Sequence, residues 1–359
     1  MRVLVVELGV HYKKVRFAAR MLSVFAQVEV LLTNNTEADP DWREHFPEHN
    51  EYEVVCARSG LDFARKFLIL GRRADAIYVT TGPEYSRILG VIVFATVIWR
   101  FRNRVLMSLC NPERWLTTGG ARNRIRAFTA QGVCGLAFES ETQRESFLDV
   151  SRSLTPTITT YDRYVLDDRV TNAMQTPGSK DQIRIGLLGI LTPERRNYGE
   201  VVRALAQLSN EIRERIVLVT LGGFLSGISG SIVEELSQWV DVDTTDSWLS
   251  EKEFETRGFN CHALLSPLSR ERNYGTLAGS GSFGDAIYLQ RRLIIPEFVD
   301  PRSEFSELSI TYRSEQDLAR LLENPATYKP LSDEVLTQYS IKQVASKVQQ
   351  FFQTHYECR

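Results

Sequence analysis

Two polar loops carry residues whose types and spacing could bind a phosphate group. The first, GILTPERRN, follows the apolar run IRIGLLG and contains the basic pair Arg195 and Arg196. Neighbouring guanidinium groups at the carboxyl end of a strand can clamp a diphosphate through charge-assisted, bidentate hydrogen bonds. Spacing alone also fits a solvated basic pair with no ligand, so both interpretations stay open at this point.

The second loop, SRERNYGTLAGSGS (residues 269–282), lies between an apolar run at 261–268 and the sequence FGDAIYLQRR, whose pattern predicts a helix. A strand, a glycine-rich loop and a helix in this order are typical of a parallel α/β sheet, where ligands bind outside the carboxyl ends of the strands. Backbone N–H groups at the start of such a helix bind phosphate. Asp285, which we place on the first turn of the helix, could accept hydrogen bonds from sugar hydroxyls.

The glycines of this loop formally satisfy a dinucleotide fingerprint, Gly279-x-Gly281-x-x-Gly284. That fingerprint should directly follow the first strand of a domain and should have an acidic residue about twenty positions later. Here it comes late, after a long polar loop, which disfavours NAD or FAD. The glycines either form a tight loop only or contact a phosphate.

Apolar runs alternate with segments of helical apolar spacing along both halves of the chain, which predicts parallel, doubly wound sheets. We predict strands at 3–9, 28–33, 54–57, 76–81, 105–110, 133–138, 183–189, 216–222, 240–244, 261–268 and 293–296. We predict helices at 12–26, 61–70, 84–100, 122–130, 140–150, 198–213, 231–239, 250–257, 314–323 and 341–352.

A stretch rich in Pro, Gly, Thr and Asp interrupts this rhythm near the middle of the 359 residues, a length that favours two domains. We therefore predict an N-terminal Rossmann-like domain at 1–165, a linker at 166–182 and a second Rossmann-like domain at 183–335. A C-terminal helix at 336–359 is expected to pack back on the first domain. The predicted fold class is α/β, with the two domains facing a central cleft.

Net charge, cysteine spacing and the lengths of the apolar runs indicate the class of protein and its compartment. The net charge of −2 disfavours a nucleic-acid-binding protein. The five cysteines form neither a C-x-x-C pair nor a zinc-binding spacing, which favours free thiols in a reducing compartment. Residues 1–8 lack a signal-peptide pattern, and the longest apolar run, 88–99, is too short to span a bilayer. We expect a cytoplasmic protein.

One segment of the first half is strongly basic. Eight arginines and one acidic residue, Glu113, lie between Tyr85 and Phe128, around the apolar run 88–99. A basic face with apolar and aromatic residues fits docking on anionic lipid or binding of a lipid-diphosphate acceptor. A helix buried against the sheet, with solvated arginines beside it, explains the same pattern. Any membrane contact is expected to be peripheral, at the inner face of the membrane.

The second half, residues 183–352, resembles the nucleotide-binding domain of GT-B glycosyltransferases, especially the retaining group called family 4. GILTPERRNY resembles that family's Gly-Arg-Leu-x-x-x-Lys motif, with Arg195 at the lysine position. NCHALLSPLSRERNYG resembles the strand that leads to the nucleotide loop, and VDTTDSWLSEKEF resembles the stretch beneath the base. GSFGDAIYLQRRLIIPEF resembles the Phe-Gly-…-Glu-Ala helix and the strand after it, with Asp285 at the glutamate position. The first half matches mainly in its rhythm.

This resemblance implies transfer of a sugar from a nucleotide-sugar donor to a glycan or lipid-linked acceptor, in polysaccharide or glycoconjugate synthesis. It implies retention of configuration, no metal and no other cofactor. Its catalytic residues would be Arg195, Asp285 and, as a general base, His11, for which a purely structural role is the alternative. Donor binding would involve Gly189, Arg196, Glu271, Tyr274, Gly275, Ser280, Gly281 and Ser282. The acceptor side would involve Gly9 and Asn111.

Two positions depart from the family pattern. Leu277 stands where the family has the first of two glutamates, and Ile190 stands where it has an arginine. Glu271 could replace the missing glutamate if the loop brings it round. Two other functions therefore stay open. One is a non-catalytic GT-B protein that binds nucleotide or glycan or serves as a partner subunit, and the other is a sugar-nucleotide epimerase, which would need no acceptor.

Overall fold

The computed structural model describes residues 1–7, 12–33, 52–81, 88–116, 120–161, 163–165, 182–223, 227–272 and 274–356. Residue contacts divide the chain into two compact units. The first unit comprises Met1–Arg163, Thr276–Gly279 and Ile341–Arg359, and the second comprises Tyr164–Gly275 and Ser280–Ser340. The predicted linker lies outside the described residues except for its last residue.

The first unit contains a parallel sheet of seven strands. They are β1 (Arg2–Glu7), β2 (Gln27–Thr33), β3 (Glu53–Ala57), β4 (Ala76–Thr81), β5 (Val105–Ser108), β6 (Gly135–Phe138) and β7 (Thr157–Thr159). Its helices are α1 (Tyr12–Ser23), α2 (Gly60–Arg73), α3 (Ile88–Arg100), α4 (Ala121–Gly132), α5 (Glu141–Ser151) and the C-terminal α13 (Ile341–Tyr356). The strand order is β3-β2-β1-β4-β5-β6-β7. This order reverses direction between β1 and β4, as in a Rossmann fold.

The second unit repeats this plan with six parallel strands. They are β8 (Ile183–Leu188), β9 (Ile216–Leu221), β10 (Asp241–Asp243), β11 (Ala263–Leu265), β12 (Leu293–Pro296) and β13 (Ser309–Tyr312). Its helices are α6 (Tyr198–Ala206), α7 (Asn210–Arg213), α8 (Ile228–Ser237), α9 (Glu251–Phe259), α10 (Gly281–Leu289), α11 (Glu315–Glu323) and α12 (Asp333–Gln338). The strand order is β10-β9-β8-β11-β12-β13, with the reversal between β8 and β11.

The central strands are short apolar runs because both faces of each sheet are covered. All residues of β4, β9 and β12 are buried. Several helices, among them α2, α5 and α11, begin where the hydroxyl of a serine caps them. For example, Ser250 starts α9 with a capping box, in which its hydroxyl accepts from the N–H of Glu253 and the carboxylate of Glu253 accepts from the N–H of Ser250. The prediction of two doubly wound parallel sheets is confirmed.

Several predicted element bounds were wrong for identifiable physical reasons. The helix expected at 198–213 is two helices, α6 and α7, because the hydroxyl of Ser209 accepts from the N–H of Ile212 and starts a new helix. The strand expected at 261–268 is reduced to Ala263–Leu265, and the chain leaves the sheet at Pro267, which has no N–H to donate. The prediction missed β7, β13 and α12.

Gly186 in β8 offers a test of the packing in the second unit. An added Cβ would lie 2.4 Å from Cδ1 of Leu221 and 2.8 Å from Cδ2 of Leu264, inside a buried core. We expect Gly186→Ala to lower the free energy of unfolding by about 1–3 kcal/mol, measured in urea, because overpacking forces neighbours to shift. Gly230→Ala in α8 is the matched control, since its added Cβ meets nothing within 4 Å. It should be neutral or stabilising by up to ~1 kcal/mol. Equal effects at the two positions would contradict the packing argument.

His262 predicts a dependence of stability on pH. Its Nδ1 accepts a hydrogen bond from the backbone N–H of Arg184 at 3.0 Å, and burial lowers its pKa below the ordinary value of 6.5. The unfolded chain therefore binds a proton near pH 6.5 that the folded chain does not, so this stability is complete above that pH and is lost as the pH falls through it. We expect the difference in unfolding free energy between wild type and His262→Gln, which keeps an acceptor, to shrink from pH 7.5 to pH 5. A difference that stays constant would exclude this role.

Candidate functional site

The carboxyl edge of the second sheet is the candidate site, and it centres on the segment after β8. Gly189 follows that strand with a φ of +78°, a backbone conformation that favours glycine. A Cβ at this position would lie 2.0 Å from Nη2 of Arg196. The side chain of Arg196 therefore lies directly against the glycine backbone at the point where the strand order reverses.

Arg196 is a buried cation that forms no ion pair at contact distance among the described residues, although Asp285 acts on it from farther away. Its side chain is 8% exposed, its Nη1 donates to the backbone oxygen of Ile190 at 3.0 Å, and its Nε has no hydrogen-bond partner. Burial lowers its pKa from the ordinary value of 12.5, while the nearby Tyr198, Tyr274 and Asp285 raise it. An arginine stays protonated under such conditions. The side chain is therefore a fixed positive charge with free donor capacity.

The backbone around Arg196 is held by a short antiparallel pairing. Arg196 pairs with Leu268, the N–H of Asn197 donates to the oxygen of Pro267 at 2.7 Å, and the N–H of Ser269 donates to the oxygen of Arg195 at 3.0 Å. The two polar loops recognised in the sequence are thus joined at the carboxyl ends of β8 and β11. This pairing is also why β11 is shorter than predicted.

Arg195 differs from its neighbour because it is exposed, and its Nε donates to the hydroxyl of Tyr274 at 3.1 Å. Arg195 was predicted to be catalytic and Arg196 to bind the donor, but it is Arg196 that the fold buries against Gly189. Tyr274 itself is 6% exposed. Next to it, Gly275 has a φ of +81°, and a Cβ there would lie 2.3 Å from the oxygen of Phe298. Tyr274 and Gly275 therefore shape the loop around Arg195.

Helix α10 begins at Gly281, with Ser280 as its N-cap. The hydroxyl of Ser280 accepts from the N–H of Ser282 at 3.3 Å, and the buried hydroxyls of Ser266 and Ser282 lie 2.7 Å apart. A Cβ at Gly281 would meet nothing within 4 Å. The start of a helix is a general anion-binding arrangement, because its first backbone N–H groups have no partner within the helix.

Two acidic candidates lie elsewhere than expected. Asp285 is the fifth residue of α10, so it belongs to the second turn and not to the first. It is partly buried, and it lies close enough to Arg196 to raise the pKa of that residue. Glu271 is exposed in a short 3-10 helix, Arg270–Arg272, where its N–H donates to the hydroxyl of Ser269 at 3.4 Å. No described contact joins Glu271 to Arg196.

Leu277 shows what replaces the expected first glutamate. The segment Thr276–Gly279 is grouped with the first unit, and Leu277 packs against that unit's hydrophobic core. Within the same unit, a Cβ at Gly279 would lie 2.2 Å from Oε2 of Glu139. Leu277 therefore adds an apolar contact to the core of the first unit, and Gly279 permits a close approach of the backbone to Glu139.

An exposed tryptophan is a candidate that sequence reasoning did not single out. Trp248 is 63% exposed in the polar stretch between β10 and α9, and a Cβ at Gly223 would lie 2.7 Å from its ring. The ring thus covers the backbone that follows β9. An aromatic ring presented to solvent at the carboxyl edge of the sheet can stack with a nucleotide base. The signal was present in the sequence as a lone tryptophan in a polar loop.

The carboxyl edge of the first sheet also gathers charged residues. Glu7, the last residue of β1, is 0% exposed and accepts hydrogen bonds from the hydroxyls of Thr80 and Thr81. The ammonium of Lys14 pairs with the carboxylate of Glu139 and donates to Sγ of Cys110 at 2.8 Å. Sequence reasoning missed Glu7, Lys14 and Glu139 because they lie inside regular elements or directly after them.

The acceptor-side candidates are only partly described. Asn111 is half-buried at the start of a 3-10 helix, Pro112–Trp115, three residues after the end of β5. Gly9 and His11 lie outside the described residues. Among the described residues, no three His, Cys, Asp or Glu side chains come together as a metal site would require. Likewise, no helix in the described part of the chain has the length and apolarity needed to cross a membrane.

Solved structures similar to this chain share both of its units. Anabaena HepE in complex with UDP-glucose aligns at a TM-score of 0.65 with 13% identity over 99% of this chain and 100% of its own. The UDP-forming α,α-trehalose-phosphate synthase of Burkholderia vietnamiensis aligns at 0.61 with 11% identity over 100% of both chains. The chain has the GT-B fold. The UDP-GlcNAc 2-epimerase of Neisseria meningitidis bound to UDP-GlcNAc also aligns, at 0.60 with 12% identity over 99% of this chain and 100% of its own.

Matches at this level of identity establish the fold alone. No family model and no curated protein matches the sequence. The resemblance to family 4 therefore stays a prediction, as do the roles assigned to individual residues of the GT-B scaffold.

Arg196→Met tests whether the buried guanidinium is kept for a ligand. Replacing a buried charge that has no carboxylate partner by an apolar side chain of similar length should leave the free energy of unfolding within about 1 kcal/mol or raise it. The measurement is urea unfolding without any added anion, with Arg203→Met as the control for an exposed, ion-paired arginine. A loss of about 3 kcal/mol or more would instead identify Arg196 as a structural cation.

Proposed function

We propose that the second unit binds the diphosphate of a nucleotide sugar and that the protein is a glycosyltransferase. The observation that carries the proposal is the buried guanidinium of Arg196, which has no carboxylate partner among the described residues. A dianionic diphosphate would satisfy its remaining donors. Arg195 and the N–H groups at the start of α10 would contribute further donors.

The proposed chemistry is mainly electrostatic. When the sugar leaves a nucleoside diphosphate, negative charge grows on the β-phosphate, and fixed donors that are complementary to this charge lower the barrier. Arg196 is such a donor, because the fold has already desolvated and oriented it. This arrangement needs no metal ion to neutralise the leaving group. Asp285 would hold hydroxyls of the ribose or of the donor sugar.

The proposed donor carries uridine. The names of the matching HepE, trehalose-phosphate synthase and epimerase structures all include UDP. In this chain the exposed ring of Trp248 would stack against the base, in the stretch that resembles the base-binding region of family 4. Glu271, Tyr274 and Gly275 would then border the diphosphate and the sugar.

The proposed acceptor is a glycan or a lipid-linked saccharide, and the enzyme would act in the cytoplasm in polysaccharide or glycoconjugate synthesis. We propose that the carboxyl edge of the first sheet binds it. There Asn111 and the pair Lys14 and Glu139 offer hydrogen-bond partners for hydroxyl groups. His11 as a general base and retention of configuration remain parts of this proposal.

A second candidate function is epimerisation of a nucleotide sugar. It is favoured by the match to the Neisseria epimerase and by the apolar Leu277 at the position where family 4 has an acid. The same diphosphate site would serve this reaction. The two functions differ in that an epimerase turns over the sugar nucleotide without any acceptor, whereas a transferase needs one.

Nucleotide binding can be tested by thermal unfolding with UDP, GDP, ADP, CMP and dTDP. A nucleotide at a hundred times its Kd adds about 2.7 kcal/mol to the stability, which should raise Tm by several degrees. We expect UDP to give the largest shift, Arg196→Met to abolish it, and Arg195→Ala and Trp248→Ser to reduce it. Arg203→Met should respond like wild type. No shift with any nucleotide would overturn the proposal.

A turnover assay then distinguishes the glycosyltransferase from the epimerase. Wild type is incubated with UDP-glucose or UDP-GlcNAc, with and without a mixture of oligosaccharide acceptors, and the sugar is followed by NMR. Release of UDP that depends on acceptor supports the transferase. A change of configuration in the sugar nucleotide without acceptor supports the epimerase, and binding without turnover in either arm supports a non-catalytic protein.

A further inference from the structure

Helix α3 exposes apolar side chains on the face that does not pack against the sheet. Phe94 and Ile98 are buried in the first unit's core, while Ile92, Val93 and Trp99 are 43%, 44% and 38% exposed. A helix that covers a sheet normally has a polar outer face. Contiguous exposed apolar residues on such a helix indicate a binding surface.

Trp99 is the centre of this surface. Its ring stacks on Phe128 of α4, with centroids 5.1 Å apart and an interplanar angle of 15°, and Phe128 is itself 61% exposed. The guanidinium of Arg102 lies 4.6 Å from the centroid of the Trp99 ring. A Cβ at Gly132 would lie 2.2 Å from that ring, so the glycine lets the indole lie against the backbone of α4. We call these residues, with Ile92 and Val93, the α3–α4 surface.

Positive charge borders the α3–α4 surface. Arg100, Arg102 and Arg124 are exposed, and none forms an ion pair with a carboxylate among the described residues. A groove of about 650 Å³ continues from Arg102 and Gly132 and is lined also by Arg152, Leu154 and His355. Leu154 is 99% exposed. Asp149 is the exposed acidic residue near this end of α5.

We propose that the α3–α4 surface docks the protein on an anionic lipid membrane. Aromatic and aliphatic side chains would enter the boundary between headgroups and acyl chains, and the arginines would contact lipid phosphates. A ring such as Trp99 with a guanidinium over it matches the amphipathic side chains that occupy this boundary. Helix α3 has thirteen residues, too few to span a bilayer, so the contact is peripheral.

The positive charge of the α3–α4 surface favours anionic lipid over a second copy of the chain as the binding partner. A twofold contact uses the same patch on both molecules, so it would bring Arg100, Arg102 and Arg124 of one copy towards the same arginines of the other. Anionic lipid supplies the opposite charge. The overall charge of −2 does not explain binding to such lipid, so the attraction must come from this local cluster.

The end of the surface around Trp99 lies where tethering is expected and acceptor binding is not. Trp99 and Arg102 directly precede β5, Phe128 precedes β6, and Leu154 precedes β7. Residues that precede parallel strands lie at the amino edge of the sheet, whereas ligands of such sheets bind at the carboxyl edge. These residues are therefore separate from the carboxyl edge of the first sheet, and vesicle binding is measured without nucleotide, so its test does not depend on the proposed function.

The test is co-sedimentation of the full chain with vesicles of phosphatidylcholine alone or with added phosphatidylglycerol. We expect binding to the anionic vesicles only, weakening as salt increases. Arg124→Ser should weaken binding about fivefold, and Arg102→Ser at least as much. Phe128→Ser, at an exposed position that leaves the core intact, should also weaken it. Leu61→Ser and Arg203→Ser, an exposed apolar and an exposed basic residue elsewhere, are the matched controls.

Trp99 gives a second readout. Quenching of tryptophan fluorescence by brominated phosphatidylglycerol should occur in wild type and be lost in Trp99→Phe. Absence of binding to anionic vesicles would overturn the proposal. So would equal binding of Phe128→Ser, Arg124→Ser and wild type. Concentration-dependent dimerisation that Phe128→Ser abolishes, without vesicle binding, would show instead that a second copy covers the surface.

Discussion

Burying one guanidinium cation is the constraint around which the second unit is organised. Removing a charge from water costs several kcal/mol even after the protein relaxes. Among the described residues, Arg196 forms a single hydrogen bond, to the oxygen of Ile190, and no ion pair with a carboxylate. The fold holds the cation through a backbone pairing with Leu268 and through a glycine that leaves room for it. A bound anion would balance this cost, and for this reason the proposed function places a diphosphate at Arg196.

The carboxyl edges of the two sheets differ in how their charged side chains are paired. In the first unit, Lys14 is paired with Glu139, and the buried Glu7 is satisfied by threonine hydroxyls. In the second unit, the buried cation keeps spare donors. Paired charges and hydroxyls suit a neutral, hydroxyl-rich molecule, whereas a buried cation with spare donors suits a phosphate. This difference is the basis for proposing a donor site in the second unit and an acceptor site in the first.

The sequence predicted the sheets well because a buried parallel strand is a short continuous apolar run, and runs such as those of β1, β4, β8 and β9 are unambiguous. Strands β7 and β13 were missed because their exposed or mixed residues lack that signal. Helix α6 was predicted too long because the cap at Ser209 was overlooked. The failures are therefore local, at edges and ends where apolar periodicity carries little information.

The site was predicted less completely, for a reason that Arg195 and Arg196 illustrate. Adjacent residues of the same type point in different directions, and only the pairing with the segment after β11 decides which of them is buried. That pairing joins residues about seventy positions apart, so no local pattern reports it. Trp248 was likewise within a stretch judged relevant, but its contact with Gly223 depends on the neighbouring strand.

The glycines behind Arg196 limit how this protein could change by single substitutions. A side chain at Gly189 would occupy the place of the Arg196 guanidinium, and a side chain at Gly222 would lie 2.1 Å from the oxygen of Gly189. The backbone at Gly189 therefore requires a glycine at position 222, and the guanidinium of Arg196 requires a glycine at position 189. Loss of Arg196 would remove the clash at Gly189 but not its positive φ, and it would leave the clash between Gly222 and the Gly189 backbone in place. The backbone itself, and not only the arginine, therefore keeps both positions as glycine.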